Sequence, residues 1–311
     1  MLPLVVIIGP TAVGKTKIAV DLALKMNGEI ISGDSMQVYR GMDIGTAKIK
    51  PEETKGIVHH LIDICNPDEP FSAADFQKLA REKIKEISQK GKLPFLVGGT
   101  GFYIDAVLYP YQFTGQGDIL PYRRYYYSLA KQKGKEYVHQ LLKKIDPQAA
   151  RKIHPHDLKR VSRALEYYQA TNGKLISEKK DTAKQKPLYH AVMLGLSMER
   201  NLLYQNIEKR VDKMMANGFL EEVAALLKQG YSPKLTALQG LGYRQLIQYY
   251  QGEINLNTAI ELIKRDTRRF AKRQWTWFKR NKAIKWFDIK APDVKTQILA
   301  YLSRTLSLGA E

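Results

Sequence analysis

The sequence predicts an α/β fold organised around a parallel sheet, and three patterns carry that expectation. An apolar run, Leu4 to Ile8, passes through a glycine-rich loop into a helical stretch from Lys15 to Met26, and a second apolar run, Glu29 to Ser32, follows it. Strand-like and helix-like segments then alternate up to about residue 110, which is the grammar of βαβ units. From about Tyr111 to Pro187 the strand pattern stops and helical spacing takes over, and after Ser197 the chain reads helical nearly to residue 280.

Each element has its own local signal. Leu4 to Ile8 begins almost at Met1, lacks a preceding basic segment and is far shorter than the roughly 20 residues a membrane span needs, so it reads as a buried strand and not as a signal or an anchor. Further strands are expected at His59 to Ile64, Pro94 to Val97 and His190 to Leu196. Ser72 and Asp75 form a capping box that opens a helix with apolar Phe76, Leu79, Ala80, Ile84 and Ile87, and Gly91 closes it. In the helical stretch, Leu158, Val161, Leu165 and Tyr168 share one face, with Asn172-Gly173 as a stop. Gly230, Ser232-Pro233 and Gly252 interrupt the C-terminal helices. The expected organisation is a core formed by residues 1–110 and 188–311, helical in its C-terminal part, with an α-helical insertion domain at 111–187.

Composition narrows the partners. Hydrophobic and charged fractions of 44% and 26% are those of an ordinary globular chain, so no disordered class is needed. Fifty Lys and Arg against 31 Asp and Glu leave a formal charge of +19, a field that attracts a polyanion and releases its counterions on contact, and nucleic acid is the partner this favours. The basic residues from Lys264 to Lys285 face a single acid, Asp266, and are interleaved with Phe270, Trp275, Trp277 and Phe278, an expected phosphate-tracking surface. The cluster Tyr122, Arg123, Arg124, Tyr125, Tyr126, Tyr127 suits base stacking and phosphate contact, although core packing accounts for its aromatic residues equally well. Cys65 is the single cysteine, which excludes an intrachain disulfide and a cysteine zinc cluster and makes a cytoplasmic location the expectation. His59-His60 and His154-Pro155-His156 lack the i, i+4 helical spacing of metal ligands, so no metal centre is expected there.

The run Gly9-Pro10-Thr11-Ala12-Val13-Gly14-Lys15-Thr16 matches G-x-x-x-x-G-K-[ST], placed directly after a strand and opening a helix. Backbone N–H groups of such a loop surround phosphate oxygens, the helix N-terminus adds partial positive charge, and Lys15 adds a full one. The Thr16 hydroxyl is the expected Mg²⁺ ligand. The pattern specifies a P-loop NTPase-like core and a phosphate ligand, not ATP. An apolar strand ending in a Mg²⁺-holding Asp has only a short match, Leu61-Ile62-Asp63, so a diphosphate acting as leaving group is an alternative to a transferred γ-phosphoryl.

Two further residues belong beside the loop. Asp34 follows Ile30-Ile31-Ser32-Gly33 and falls at the carboxyl end of a strand, where open α/β sheets bind ligands; there a carboxylate accepts a proton, ligates Mg²⁺ or caps the next turn. Arg210 interrupts the stripe Leu203, Ile207, Val211, Met214 and lies within about 20° of Leu203 on the helix wheel. A guanidinium in an apolar stripe calls for an anion, either an internal carboxylate or a diphosphate.

The run from Asp34 through Ser35-Met36-Gln37-Val38-Tyr39-Arg40-Gly41-Met42-Asp43-Ile44-Gly45-Thr46-Ala47 to Lys48, behind the loop, resembles the bacterial tRNA dimethylallyltransferases. Gly98-Gly99-Thr100-Gly101-Phe102-Tyr103 is similar to that family's third motif, and His154 through Arg160 to Arg163-Ala164-Leu165-Glu166 to its fourth; the likeness continues through Arg210, Gly240-Leu241-Gly242-Tyr243-Arg244 and Arg269 to Trp277-Phe278. The resemblance implies transfer of a dimethylallyl group from dimethylallyl diphosphate to N6 of adenosine 37, next to the anticodon, in tRNA. It implies that Gly9 to Thr16 hold the diphosphate and Thr16 a Mg²⁺ ion, that Asp34 is the general base, and that Arg210 and Lys15 steady the leaving group, with Thr100 also catalytic. Asp34, Ser35, Met36, Gln37, Thr100, Arg123, Leu158, Lys159, Arg160, Val161 and Ser162 fall where that family contacts the anticodon stem-loop, and a monomer is expected. The competing readings are a P-loop kinase of a small molecule, a transferase acting on a free adenine nucleotide, and a tRNA-binding module whose loop is a nucleotide switch.

Overall fold

The computed structural model describes residues 1–113, 120–178 and 186–307; parts of the expected segments at 114–119, 179–185 and 308–311 lie outside them. In chain order the first part contains β1 (Pro3–Ile8), α1 (Lys15–Lys25), β2 (Gly28–Ser32), β3 (His59–His60), α2 (Ala73–Gln89), β4 (Leu93–Gly98) and α3 (Gly101–Leu108). Four helices follow, α4 (Leu120–Lys133), α5 (Lys135–Ile145), α6 (Pro147–Lys152) and α7 (Leu158–Ala170). The chain then forms β5 (His190–Ser197), α8 (Arg200–Ala216), α9 (Phe219–Lys228), α10 (Tyr243–Tyr250), α11 (Leu256–Phe278), β6 (Lys285–Asp288) and α12 (Val294–Ser307). Two compact units result, Met1–Pro110 with Gln185–Glu311, and Tyr111–Lys184.

The larger unit is built on one six-stranded sheet, order β3-β2-β4-β1-β5-β6, and every pair in it is parallel. Alternation along β1 sends Val5 and Ile7 into a core with Ile18, Leu22 and Ala23 of α1 and Ile298 and Leu302 of α12, and sends Leu4, Val6 and Ile8 into a second core with Phe76, Ala80, Ile84 and Ile87 of α2. Both faces are thus covered, which is why β1 reads as an unbroken apolar run. A third cluster joins Val38, Tyr39 and Met42 to α8, α9, α10 and α11. The second unit has its own core, in which Tyr126 of α4, Val138 and Leu142 of α5, and Val161 and Leu165 of α7 meet.

The strand expected at His59 to Ile64 ends after two residues, because Leu61 and Asp63 adopt φ of 62° and 56°, outside the extended region. Conversely, β6 falls where the sequence suggested only the end of a basic run: Phe287 is buried and the strand pairs with β5. The capping box forms as expected, with Ser72 Oγ accepting from the Asp75 N–H and Asp75 Oδ2 from the Ser72 N–H. Phe76, fully buried, stacks on Tyr103 with ring centroids 4.5 Å apart. Phe76→Ala should therefore lower unfolding free energy by about 3–5 kcal/mol, and Ser72→Ala by about 1 kcal/mol, as read from urea-unfolding midpoints.

Candidate active site

Three neighbouring strands deliver the site. In the order β2-β4-β1, the carboxyl ends are followed by Gly33-Asp34, Gly99-Thr100 and the Gly9–Thr16 loop respectively, the place where open α/β sheets bind ligands. Close approach is enforced by glycine: the Gly33 N–H donates to Val97 O at 2.7 Å, and a Cβ on Gly98 would overlap the Gly33 carbonyl. Gly9 is equally constrained, since a Cβ there would stand 2.6 Å from Leu196 O. Within the loop Ala12 and Gly14 take positive φ, 63° and 94°, which turns the backbone ahead of α1. Val13 is buried and Pro10 also faces inward, so these positions shape the loop through their backbone.

Lys15 Nζ donates to Gly9 O (3.0 Å) and Pro10 O (2.8 Å). Arg210 Nη1 donates to Thr11 Oγ1 at 3.1 Å, which brings α8 onto the loop. Burial pulls the Lys15 ammonium down to about 7, with Arg210 adding to the effect and Asp34 opposing it. Burial likewise lowers the Arg210 guanidinium, again against Asp34. Asp34 is thus close enough to act on both cations, yet one carboxylate does not neutralise two positive groups. A cavity of about 640 Å³, lined by Ala12, Gly14, Lys15, Thr16, Lys209 and Arg210 among others, adjoins them.

Asp34 Oδ1 accepts the Met36 N–H at 2.8 Å, so the turn-capping role and a place near the cations coexist. Thr100 Oγ1 accepts from the Ser35 N–H at 3.3 Å and joins the β4 end to that turn. Gln37 is a structural link: Ser32 Oγ donates to its Oε1 (2.9 Å), and its Nε2 donates to Thr46 O and Ala47 O (3.2 and 3.3 Å). Sequence reasoning missed Glu222 of α9, whose carboxylate accepts the N–H groups of Asp43, Ile44 and Gly45 (2.8, 2.6 and 3.1 Å) and the Tyr243 hydroxyl (2.6 Å), fixing the rest of the segment. Its signal was an acid beside the stripe Phe219, Val223, Leu226. Asp63, at the end of the short Leu61-Ile62-Asp63 match, is paired with Lys48, which also holds Asp43 and is itself 6% exposed.

In the Tyr111–Lys184 unit, Lys159 and Arg160 are exposed and Leu158 is half-buried, but Val161 and Ser162 are buried in the core. Their side chains lie on the face by which α7 packs, so within this segment Lys159 and Arg160 are the side chains turned to solvent. Arg123 forms a two-pronged pair with Glu166 (3.0 and 3.1 Å), and the carboxylate also faces Arg163 at 3.6 Å. Tyr122, Tyr125 and Tyr127 are exposed, whereas Tyr126 is core. On α11 and α10 the basic run is partly internally paired, Lys264 with Asp212 (2.7 Å), Arg268 with Glu208, and Arg244, Arg265 and Arg269 around Asp266.

Parallel sheet, loop and flanking cations define a P-loop α/β protein whose site sets two buried cations near the turn-capping carboxylate of Asp34. A family model, IPP transferase, matches residues 37–281. A tRNA dimethylallyltransferase of Carboxydothermus hydrogenoformans is 56% identical over 286 residues, 92% of this chain and 91% of that protein; one from Bacillus pumilus is 48% identical over 99% of this chain and 98% of that protein. Among solved structures, the full-length tRNA isopentenylpyrophosphate transferase of Bacillus halodurans matches at 44% identity and a TM-score of 0.76, covering 100% of this chain and 98% of that one. A eukaryotic dimethylallyltransferase acting on tRNA matches at 28% identity and a TM-score of 0.81, covering 99% of this chain and 80% of that one. The chain belongs to the IPP transferase family.

Lys15 makes the cradle pH-sensitive. Burial holds its ammonium down at about 7, and an anion bound beside it would draw that value back up. Affinity for an anion at Lys15 is therefore expected to be fully expressed below about pH 7 and to fall as pH rises above it, with proton uptake on binding. Calorimetry in buffers of different ionisation enthalpy at pH 8 should register that uptake, and Lys15→Met should abolish it.

Proposed function

We propose that this chain transfers a dimethylallyl group from dimethylallyl diphosphate to N6 of the adenosine next to the anticodon in tRNA, releasing diphosphate. What supports the proposal is that the relatives of this chain are named for this transfer, together with Asp34, which caps the turn after β2 and whose charge acts on Lys15 and Arg210.

The chemistry follows from these groups. An exocyclic adenine amine is a weak nucleophile because its lone pair is delocalised, and proton removal as the C–N bond forms offsets that weakness; Asp34 is the acceptor. Cleavage of the allylic C–O bond builds charge on the diphosphate oxygens, where loop amides, Lys15 and Arg210 stabilise it. Thr16 borders the cavity beside Lys15, and one hydroxyl plus substrate oxygens suits Mg²⁺, which keeps most of its waters and takes few protein ligands. Bound there, the ion would offset diphosphate charge.

The acceptor side is consistent with an RNA loop. Arg280 lies over Trp277 (4.3 Å) and Lys279 over Trp275 (5.1 Å), and Lys272 and Arg273 stand exposed on α11. A nucleotide in a loop leaves its stack more easily than a paired one, which favours the anticodon loop as substrate. No helix among the described residues is long and apolar enough to cross a membrane.

Labelled dimethylallyl diphosphate and unmodified tRNA, mixed with the protein and digested, should yield prenylated adenosine; label transferred to free adenine nucleotide alone, or ATP turnover without tRNA, would overturn the proposal. Asp34→Asn retains an acceptor for the Met36 N–H but not the base, so kcat should fall by at least about 10²-fold with tRNA affinity kept. Lys272→Glu with Arg273→Glu should weaken tRNA binding and flatten its dependence on salt, measured as the slope of log K against log salt.

A further inference from the structure

Gln274 lies in the apolar stripe of α11, with Ala259, Ile263, Thr267, Ala271 and Phe278, and is 6% exposed. A buried primary amide in such a stripe needs partners for both of its ends. Gln274 finds them in two different strand-end loops: its Oε1 accepts the Thr11 N–H at 2.8 Å, and its Nε2 donates to Gly99 O at 3.0 Å. The orientation is fixed, since Thr11 offers a donor and Gly99 an acceptor. The fit is tight as well, because a Cβ on Gly99 would overlap Gln274 Nε2.

Thr11 is thereby held at both ends, by Gln274 at its N–H and by Arg210 at its hydroxyl. Gly99 precedes Thr100, whose hydroxyl joins the turn carrying Asp34. One side chain from α11 therefore ties the diphosphate loop to the loop behind the proposed general base. We propose that Gln274 is a positioning residue for the donor site: it sets the conformation of the Gly9–Thr16 loop that grips diphosphate and holds that loop in register with the Thr100 turn. The proposal rests on reading the loop as a diphosphate cradle, and its test needs neither tRNA nor turnover.

The test is calorimetric binding of inorganic pyrophosphate with Mg²⁺ to the full chain and to two variants, beside the Kd for tRNA measured without donor. Gln274→Met keeps the volume but neither hydrogen bond, and pyrophosphate affinity should drop by about tenfold, the weight of two buried hydrogen bonds, with tRNA affinity within about twofold by the independence expected of separate sites. Gln274→Glu accepts from Thr11 when ionised but cannot donate to Gly99 O, whereas its protonated form does both. Its deficit relative to the unaltered chain should therefore shrink as pH is lowered from 8 to about 5.5, towards the carboxyl range, a recovery that mere loss of packing would not give. A folded Gln274→Met chain with unchanged pyrophosphate affinity, equal losses for pyrophosphate and tRNA, or a Gln274→Glu deficit independent of pH would each overturn the assignment. If Gln274→Met fails to fold by circular dichroism, the pH comparison with Gln274→Glu decides alone. A chain that binds pyrophosphate as described but prenylates no tRNA would overturn the acceptor reading and leave this one standing.

Discussion

Arg210 reaches Thr11 across 199 positions of sequence because α8 buries Leu203, Ile207 and Val211 against the protein, and the residue between the last two inherits their direction. Hydrophobic packing thus supplies the force that holds a guanidinium where it would otherwise be unfavourable. With Lys15 hydrogen-bonded to the loop's own carbonyls, two cations share the influence of one carboxylate, Asp34. The surplus of positive charge is what makes the site ask for an anion, and the spacing of three strand ends decides what else that anion's carrier will meet.

Those strand ends are brought together by missing side chains as much as by present ones. Gly33 and Gly98 allow β2 and β4 to finish in contact, and Gly9 passes under Leu196 O. The rest of the 34–48 segment is fastened by half-buried polar groups, from outside by Glu222 on three amides and from within by Lys48 between Asp43 and Asp63 and by Gln37 on two carbonyls. A long connection with little regular structure is made rigid by charge and hydrogen bonding in place of a helix or strand.

The sheet and the phosphate loop were legible because their signals are local: an apolar run, a glycine pattern, a helix start. Arg210 was legible because one basic residue broke a regular stripe. The same reasoning applied to α11 exposes Gln274 among Ala271, Thr267 and Phe278, but the density of Lys and Arg there drew attention to charge. Asp63 and Arg123 carry information of another kind: both have intramolecular partners, Lys48 and Glu166, distant enough in sequence that no spacing rule reveals them. β3 stopped short because Leu61 and Asp63 take positive φ, which the apolar look of the run His59 to Ile64 does not reveal.

The brevity of β3 and β6, the outermost members of the sheet at two and four residues, bears on what happens when many copies of this chain are crowded together. A row of open main-chain donors and acceptors is an invitation for a neighbouring molecule to add its own strand, and the invitation strengthens with length. Here the long, apolar, aggregation-prone strands β1, β4 and β5 are all interior, shielded on either flank, so the sheet is guarded against uncontrolled growth into fibres by where its shortest members were placed.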